Sequence, residues 1–177
     1  MENLDKIFSS LNKFSYGLYI VSSAHEGKKN GQLVNTVFQL TPNPPRIAVC
    51  LNKENLTHEI VEKSGFFSIS VLDEETSLPF IGLFGFKSGR DTDKFEKVSH
   101  KMEGDCPIVT ENALSYVNVK VMSKMDSDSH TLFMGEVTNG EVIKEGKPLT
   151  YDFYQKNKKG KTHKNATTFN KTTEANK

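Results

Sequence analysis

No stretch of this sequence approaches the roughly 20 consecutive apolar residues that span a bilayer. Its first residues also lack the basic start, apolar run and small-residue site of a secretory leader. A cytoplasmic location is therefore the expectation. There are two cysteines, Cys50 and Cys106, with no CxxC pair and no Cys/His grouping at metal-ligand spacing, so no metal site is expected. Both thiols are expected to be reduced, Cys50 as a small hydrophobe inside an apolar run. The GxGxxG fingerprint of a dinucleotide-binding fold is missing. Charge of one sign is missing too: a net charge of +1 sets up no global field toward nucleic acid or an acidic membrane. What remains, at 177 residues with 36% hydrophobic and 25% charged residues, is one globular domain. A domain of that size buries a core without staples.

The most informative stretch runs from Asn30 to His58, NGQLVNTVFQLTPNPPRIAVCLNKENLTH. Its first part offers Gln32, Asn35, Thr36, Gln39 and Thr41, uncharged donors and acceptors of the kind that grip a flat heteroaromatic ring by its edge. Pro42, Pro44 and Pro45 then break the chain. Ile47 to Leu51 reads as a buried strand running into the polar turn from Asn52 to His58. A short helix from Thr57 to Ser64, ended by Gly65, would aim unpaired N–H groups at an anion. A polar loop that merely closes a barrel, with Asn55 or Thr57 as helix cap, is the competing reading of the same residues.

Along the rest of the chain, Leu4, Ile7, Phe8 and Leu11 recur at helical spacing and predict a short amphipathic helix lying on the barrel. Strands are predicted over Gly17 to Ser23, Phe66 to Leu72, Leu114 to Met122 and His130 to Val137. Glu26 to Gly31 is expected as a hairpin connection, Leu78 to Phe84 as a helix stopped by Gly85, and Lys124 to Ser129 as a turn. Val98 to Thr110 shows no pattern and is expected to wrap the surface. Glu141 to Lys147 reads as a hairpin-like link. Ser88, Gly89 and Arg90 suit an anion, or else form an exposed Arg–Asp loop. Tyr151 reads as a core, interface or cofactor-packing residue. From residue 156 to 177 the chain is rich in Lys, Asn and Thr without period, and is expected as a flexible or partner-dependent basic tail after a domain of residues 1–155.

NGQLVNTVFQLTPNPPRIAVCLNKENLTHEI, SGFFSISVL, IGLFGFKSGRDTDKF, HTLFMGEV and PLTYDFY resemble, in that order, the flavin reductase-like family of FMN-binding split barrels. The flavoprotein domain of high-molecular-weight rubredoxins and flavoredoxins is most similar, and the resemblance runs from about Phe14 to Gly160. It implies a mainly β, Greek-key split barrel forming a homodimer, with FMN as cofactor and NADH or NADPH as electron donor. The cofactor-binding set it implies is Gln32, Val34, Asn35, Thr36, Asn52, Lys53, Asn55, Thr57, His58, Ser88, Gly89 and Arg90, with His130 near the flavin. His130 read by itself is a lone histidine at a strand entrance, and a hydrogen-bonded structural residue is its competing reading.

The implied activity is FMN-dependent electron transfer from NAD(P)H to free flavin, rubredoxin or another small acceptor, with the hard chemistry supplied by the flavin and no protein base required. An FMN electron carrier without pyridine-nucleotide activity, and a non-flavin binding module, are the alternatives. The two CxxC pairs of a rubredoxin are absent from this chain, so a rubredoxin acceptor is expected as a separate molecule. Lys156, Lys158, Lys159, Lys161 and Lys164 either steer such an acidic partner or form a solvated tail.

Overall fold

The computed structural model describes residues 2–104 and 106–169. Along them follow α1 (Glu2–Leu11), β1 (Tyr19–His25), β2 (Lys28–Val34), β3 (Val37–Pro42), β4 (Pro45–Asn52), α2 (Leu56–Ser64), β5 (Phe66–Leu72) and α3 (Leu78–Phe86). Then come β6 (His100–Glu103), β7 (Cys106–Val109), β8 (Ala113–Ser127), β9 (His130–Val142) and α4 (Tyr151–Lys156).

Seven of these strands form one antiparallel sheet in the order β2-β1-β5-β8-β9-β4-β3. Its two edges, β2 and β3, are consecutive in the chain and joined only by Asn35 and Thr36. In a flat sheet six gaps of about 4.8 Å would hold those edges roughly 29 Å apart. Three Cα steps reach at most about 11 Å. The sheet must therefore curl round until its edges meet, and the mainly β barrel follows from that short link. The excursion through α2 carries the chain from β4 to β5, and β8 and β9 later fill the gap between them.

Local chemistry fixes the turns. Glu26 and Gly27 link β1 to β2 with φ of 49° and 76°, the two-residue left-handed loop whose twist matches a hairpin. Helix α2 ends at Gly65, whose φ of 71° lets its N–H return to the Val61 carbonyl at 3.0 Å. Helix α3 starts at Ser77, whose hydroxyl accepts from the Phe80 N–H.

The period of two then sorts side chains to two cores. Val21, Val49, Leu51, Phe67, Ile69 and Phe133 fill the barrel. Leu18, Ile20 and Leu72 face outward beneath Phe80, Phe84, Phe95 and Tyr154. Truncating a fully buried ring such as Phe67 to alanine costs about 3–5 kcal/mol.

Four expectations are corrected. Val98 to Thr110 is not irregular: it holds the β6–β7 hairpin, and the buried Ser68 and Ser70 hydroxyls of β5 donate to the Pro107 and Val109 carbonyls. Strands of four residues are too short to show a period, and Gly104 and Pro107 read as breakers. Lys124 to Ser127 is strand rather than turn: it continues β8 and pairs with His130 to Phe133 of β9, but its residues are exposed on both faces, so no period of two marks it in the sequence. Helix α1 forms as its period predicts, yet Leu4, Ile7 and Leu11 remain exposed instead of lying on the barrel. Helix α3 continues one residue past Gly85, to Phe86. Among the described residues beyond α4 there is no helix or strand, and the chain runs back over one end of the barrel as far as Phe169. Residues 170–177 of the expected tail lie outside the described residues.

Candidate functional site

Where the sheet edges meet, β2 and β4 deliver their last residues to a common cavity of about 250 Å3. Gln32 and Val34 come from β2, Asn35 from the link, Cys50 and Asn52 from β4, and Asn55 and Leu56 from the start of α2. The end of α3 and the loop after it contribute Phe84 to Gly89, while Lys94, Tyr151 and Tyr154 close one side and residues 161–167 the other.

The polar floor is held by local bonds. The Asn52 side-chain oxygen accepts from the Glu54 N–H at 2.9 Å and its carbonyl from the Asn55 N–H at 3.1 Å, which tightens the turn into α2. Asn55 stands at the N-cap position of α2 but makes no side-chain cap, so the first N–H groups of the helix stay uncapped by it. Its side-chain oxygen accepts from Asn165 at 3.2 Å instead. Asn35 accepts from the Thr36 hydroxyl at 3.1 Å and donates to the Thr168 hydroxyl at 2.8 Å. Gln32 is 8% exposed, and its side-chain oxygen is buried without a partner among the described residues.

The far wall is tightly fitted. Ser88 accepts the Arg90 N–H on its hydroxyl at 3.1 Å, which folds the loop back. A Cβ at Gly89 would stand 2.1 Å from the Asn30 side-chain oxygen, so only glycine lets this backbone approach. Asn30 cannot simply swing away, because it is buried and donates to the Thr57 hydroxyl at 2.9 Å.

Lysines set the electrostatics. Lys87, Lys94, Lys161 and Lys164 line the cavity, and among the described residues Glu54 is its one carboxylate. Lys94 is 4% exposed and donates to the Gly31 carbonyl at 2.9 Å and more weakly to that of Phe84. Burial pushes its ammonium down to about 8. His163, packed edge-on against Phe86, is also lowered, first by burial and then by Lys164 and Lys94. Burial raises the Cys50 thiol. An electropositive cavity with an uncharged amide floor suits a flat, hydrogen-bonding ring carrying a phosphate.

Of the residues read from sequence, Gln32, Val34, Asn35, Asn52, Asn55, Ser88 and Gly89 line this cavity. Five others do not. Lys53 pairs with Asp126 at 3.5 Å and Arg90 with Glu59 at 3.2 Å, both on the surface. Thr57 is fully buried beneath Asn30. His58 bonds the Thr131 hydroxyl at 2.8 Å and packs on Phe133, and burial lowers its pKa. Thr36 serves Asn35. His130, opposite Asn52 in the β4–β9 ladder, meets Ser129 through Nδ1 at 2.8 Å, while its Nε2 is buried without a partner among the described residues.

The sequence reading missed Lys94, hidden in an ordinary charged run, and residues 161–168. The basic run itself is divided. Lys156 pairs with Asp152 at 2.7 Å and Lys158 lies over the Phe153 ring, whereas Lys161 and Lys164 face the cavity.

The chain is 49% identical, over 89% of its own length and 94% of the relative's, to the ferric-chelate reductase (NAD(P)H) of Archaeoglobus fulgidus. It is 44% identical to the high molecular weight rubredoxin of Moorella thermoacetica, over 90% of this chain and 70% of that one. Among solved structures, flavin reductase HpaC complexed with NADP+ superposes with a TM-score of 0.71 at 26% identity, covering 85% of this chain and 93% of the other. Residues 11–160 match the model of the flavin reductase like domain, and that span carries every strand and all of the cavity except residues 161–167. With barrel and cavity thus accounted for, the chain belongs to the flavin reductase like domain family.

Proposed function

We propose that this chain is an FMN-dependent oxidoreductase that takes electrons from NADH or NADPH and passes them to free flavin, rubredoxin or another small acceptor. The observation that carries this reading is the pairing of an amide floor with four lysines around one cavity in a flavin reductase like barrel.

The residues present fit FMN. The partnerless Gln32 oxygen is a buried acceptor awaiting a donor, a role a ring N–H fills. Gln32, Asn35 and Asn52 would hold the ring edge, with Val34 and Cys50 as apolar contacts. Lys87, Ser88, the Gly89 backbone and Lys94 would hold the phosphate, near the open start of α2. Bound FMN supplies hydride acceptance and electron release. The protein's part is orientation, exclusion of water and compensation of negative charge. Relatives named ferric-chelate reductase and high molecular weight rubredoxin support an NAD(P)H donor and a small redox acceptor.

The reading extends to a homodimer in the cytoplasm. Support for the dimer is apolar surface with no cover: Leu4, Ile7, Leu11 and Phe14 at the N-terminal helix, and Phe38 and Leu40 on the edge strand β3. Support for the compartment is a pair of free thiols. Among the described residues no helix is long and apolar enough to cross a membrane.

Anaerobic visible spectroscopy of the purified protein tests the activity. A flavin band bleached by NADH or NADPH is the expected result. A band reduced by dithionite but by neither nucleotide would reassign the chain as an electron carrier. A protein that takes up no FMN would end the flavin reading.

A further inference from the structure

Residues 161–168 lie beyond the span matched by the family model, which ends at residue 160, yet 161–167 form one whole side of the cavity and Thr168 ties them to Asn35. Their attachment is specific. The Lys161 carbonyl accepts from the Tyr154 hydroxyl at 2.9 Å, Thr162 bonds Tyr151, Asn165 donates to Asn55 at 3.2 Å and Thr168 accepts from Asn35 at 2.8 Å. The segment is thus tied to α4, to the start of α2 and to the link between β2 and β3.

The charges make this closure incomplete by itself. Lys161 and Lys164 face the cavity with no acidic partner among the described residues, across from Lys87 and the buried Lys94. Ordering eight residues costs more conformational entropy than these few net hydrogen bonds return, and like charges brought together add to the cost. An anion between the two sides removes the repulsion and supplies charge-assisted bonds to both.

Building on the FMN reading above, we propose that residues 161–168 are a closing wall of the flavin site, with Lys161 and Lys164 holding the phosphate against the Lys87 and Lys94 side. Flavin binding and ordering of this segment are then one linked event. The isoalloxazine floor belongs to the barrel, and much of the phosphate grip belongs to the end of the chain.

Full-length protein and two double variants test this, with FMN and its phosphate-free counterpart riboflavin as probes. In Lys161→Gln/Lys164→Gln the anchors stay and the cations go. FMN affinity, read by fluorescence quenching, should fall about tenfold while riboflavin affinity moves by less than about twofold. In Asn165→Ala/Thr168→Ala two of the four anchors go, and both flavins should weaken. Trypsin should cut after Lys161 and Lys164 at least about tenfold more slowly when FMN is bound. The proposal is overturned if the wild type binds FMN but both variants bind it equally well or more tightly, or if FMN gives no protection. A wild type that binds no FMN would instead overturn the flavin reading on which the wall depends.

Discussion

The Asn35 carboxamide donates to the Thr168 hydroxyl at 2.8 Å, joining the link that closes the barrel to a residue 133 positions further along the chain. The same carboxamide accepts from Thr36 at 3.1 Å, so one 6%-exposed side chain holds both the barrel seam and the last described turn. Asn35→Leu would leave both hydroxyls to find other partners. Urea unfolding should show a loss of about 1–2 kcal/mol, and trypsin should reach Lys161 and Lys164 faster than in the wild type.

Gln32 separates stability from binding. Its side-chain oxygen is buried without a partner among the described residues, which penalises the protein when no ligand is present. Gln32→Met keeps the volume and removes the orphan, so the flavin-free protein should unfold at the same urea concentration or a higher one. FMN affinity should nevertheless fall by about fivefold to tenfold, the value of about one hydrogen bond. Equal affinity in the two proteins would remove Gln32 from the ring contacts.

Arg90 and Lys53 carry positive charge but spend it on the surface, against Glu59 and Asp126. Exposed pairs of this kind are worth little. Arg90→Ala and Lys53→Ala should each leave FMN affinity within about twofold of wild type at physiological salt. A loss of tenfold or more from Arg90→Ala in a quenching titration would mean that the loop reorganises to bring the guanidinium to the phosphate.

These contrasts show what the sequence carried and what it did not. That Gln32, Asn35, Asn52 and Asn55 line one cavity was legible because amides and turn residues at the ends of apolar runs are local signals. Ser88 and Gly89 were legible in the same way, while Arg90 beside them was assigned from its charge and the family resemblance, and its partner Glu59 lies 31 positions away. Lys94 sits in DTDKF, which reads as exposed. Its burial depends on Gly31 and Phe84 meeting over it, a tertiary fact without sequence period. Residues 161–168 have too few hydrophobes to predict order, and they are ordered by hydroxyls and amides on distant elements. The stripe of α1 predicted a helix correctly, but the expectation that it lies on the barrel failed, because a stripe does not say what will cover it.

Lys94 gives the site a pH signature. Because burial lowers its folded-state pKa to about 8, the unfolded chain holds the extra proton between about pH 8 and 10.4. Stability therefore rises with pH across that window, by on the order of 3 kcal/mol if nothing else titrates. Lys94→Met removes the titration and also the bonds to the Gly31 and Phe84 carbonyls. The wild type should gain on the variant in urea unfolding as pH is raised from 7 through about 10. Binding runs the other way. A phosphate favours the ammonium and raises its pKa, so FMN affinity should weaken as pH passes about 8 and the free protein loses this proton. The FMN phosphate itself is fully ionised over that range, its second pKa being about 6. In Lys94→Met affinity should be lower by about tenfold at pH 7 and flat from there to about pH 9. Quenching titrations at pH 7, 8 and 9 on the two proteins decide this: parallel curves would place the phosphate away from Lys94, whereas a slope confined to the wild type would put the buried ammonium in contact with it.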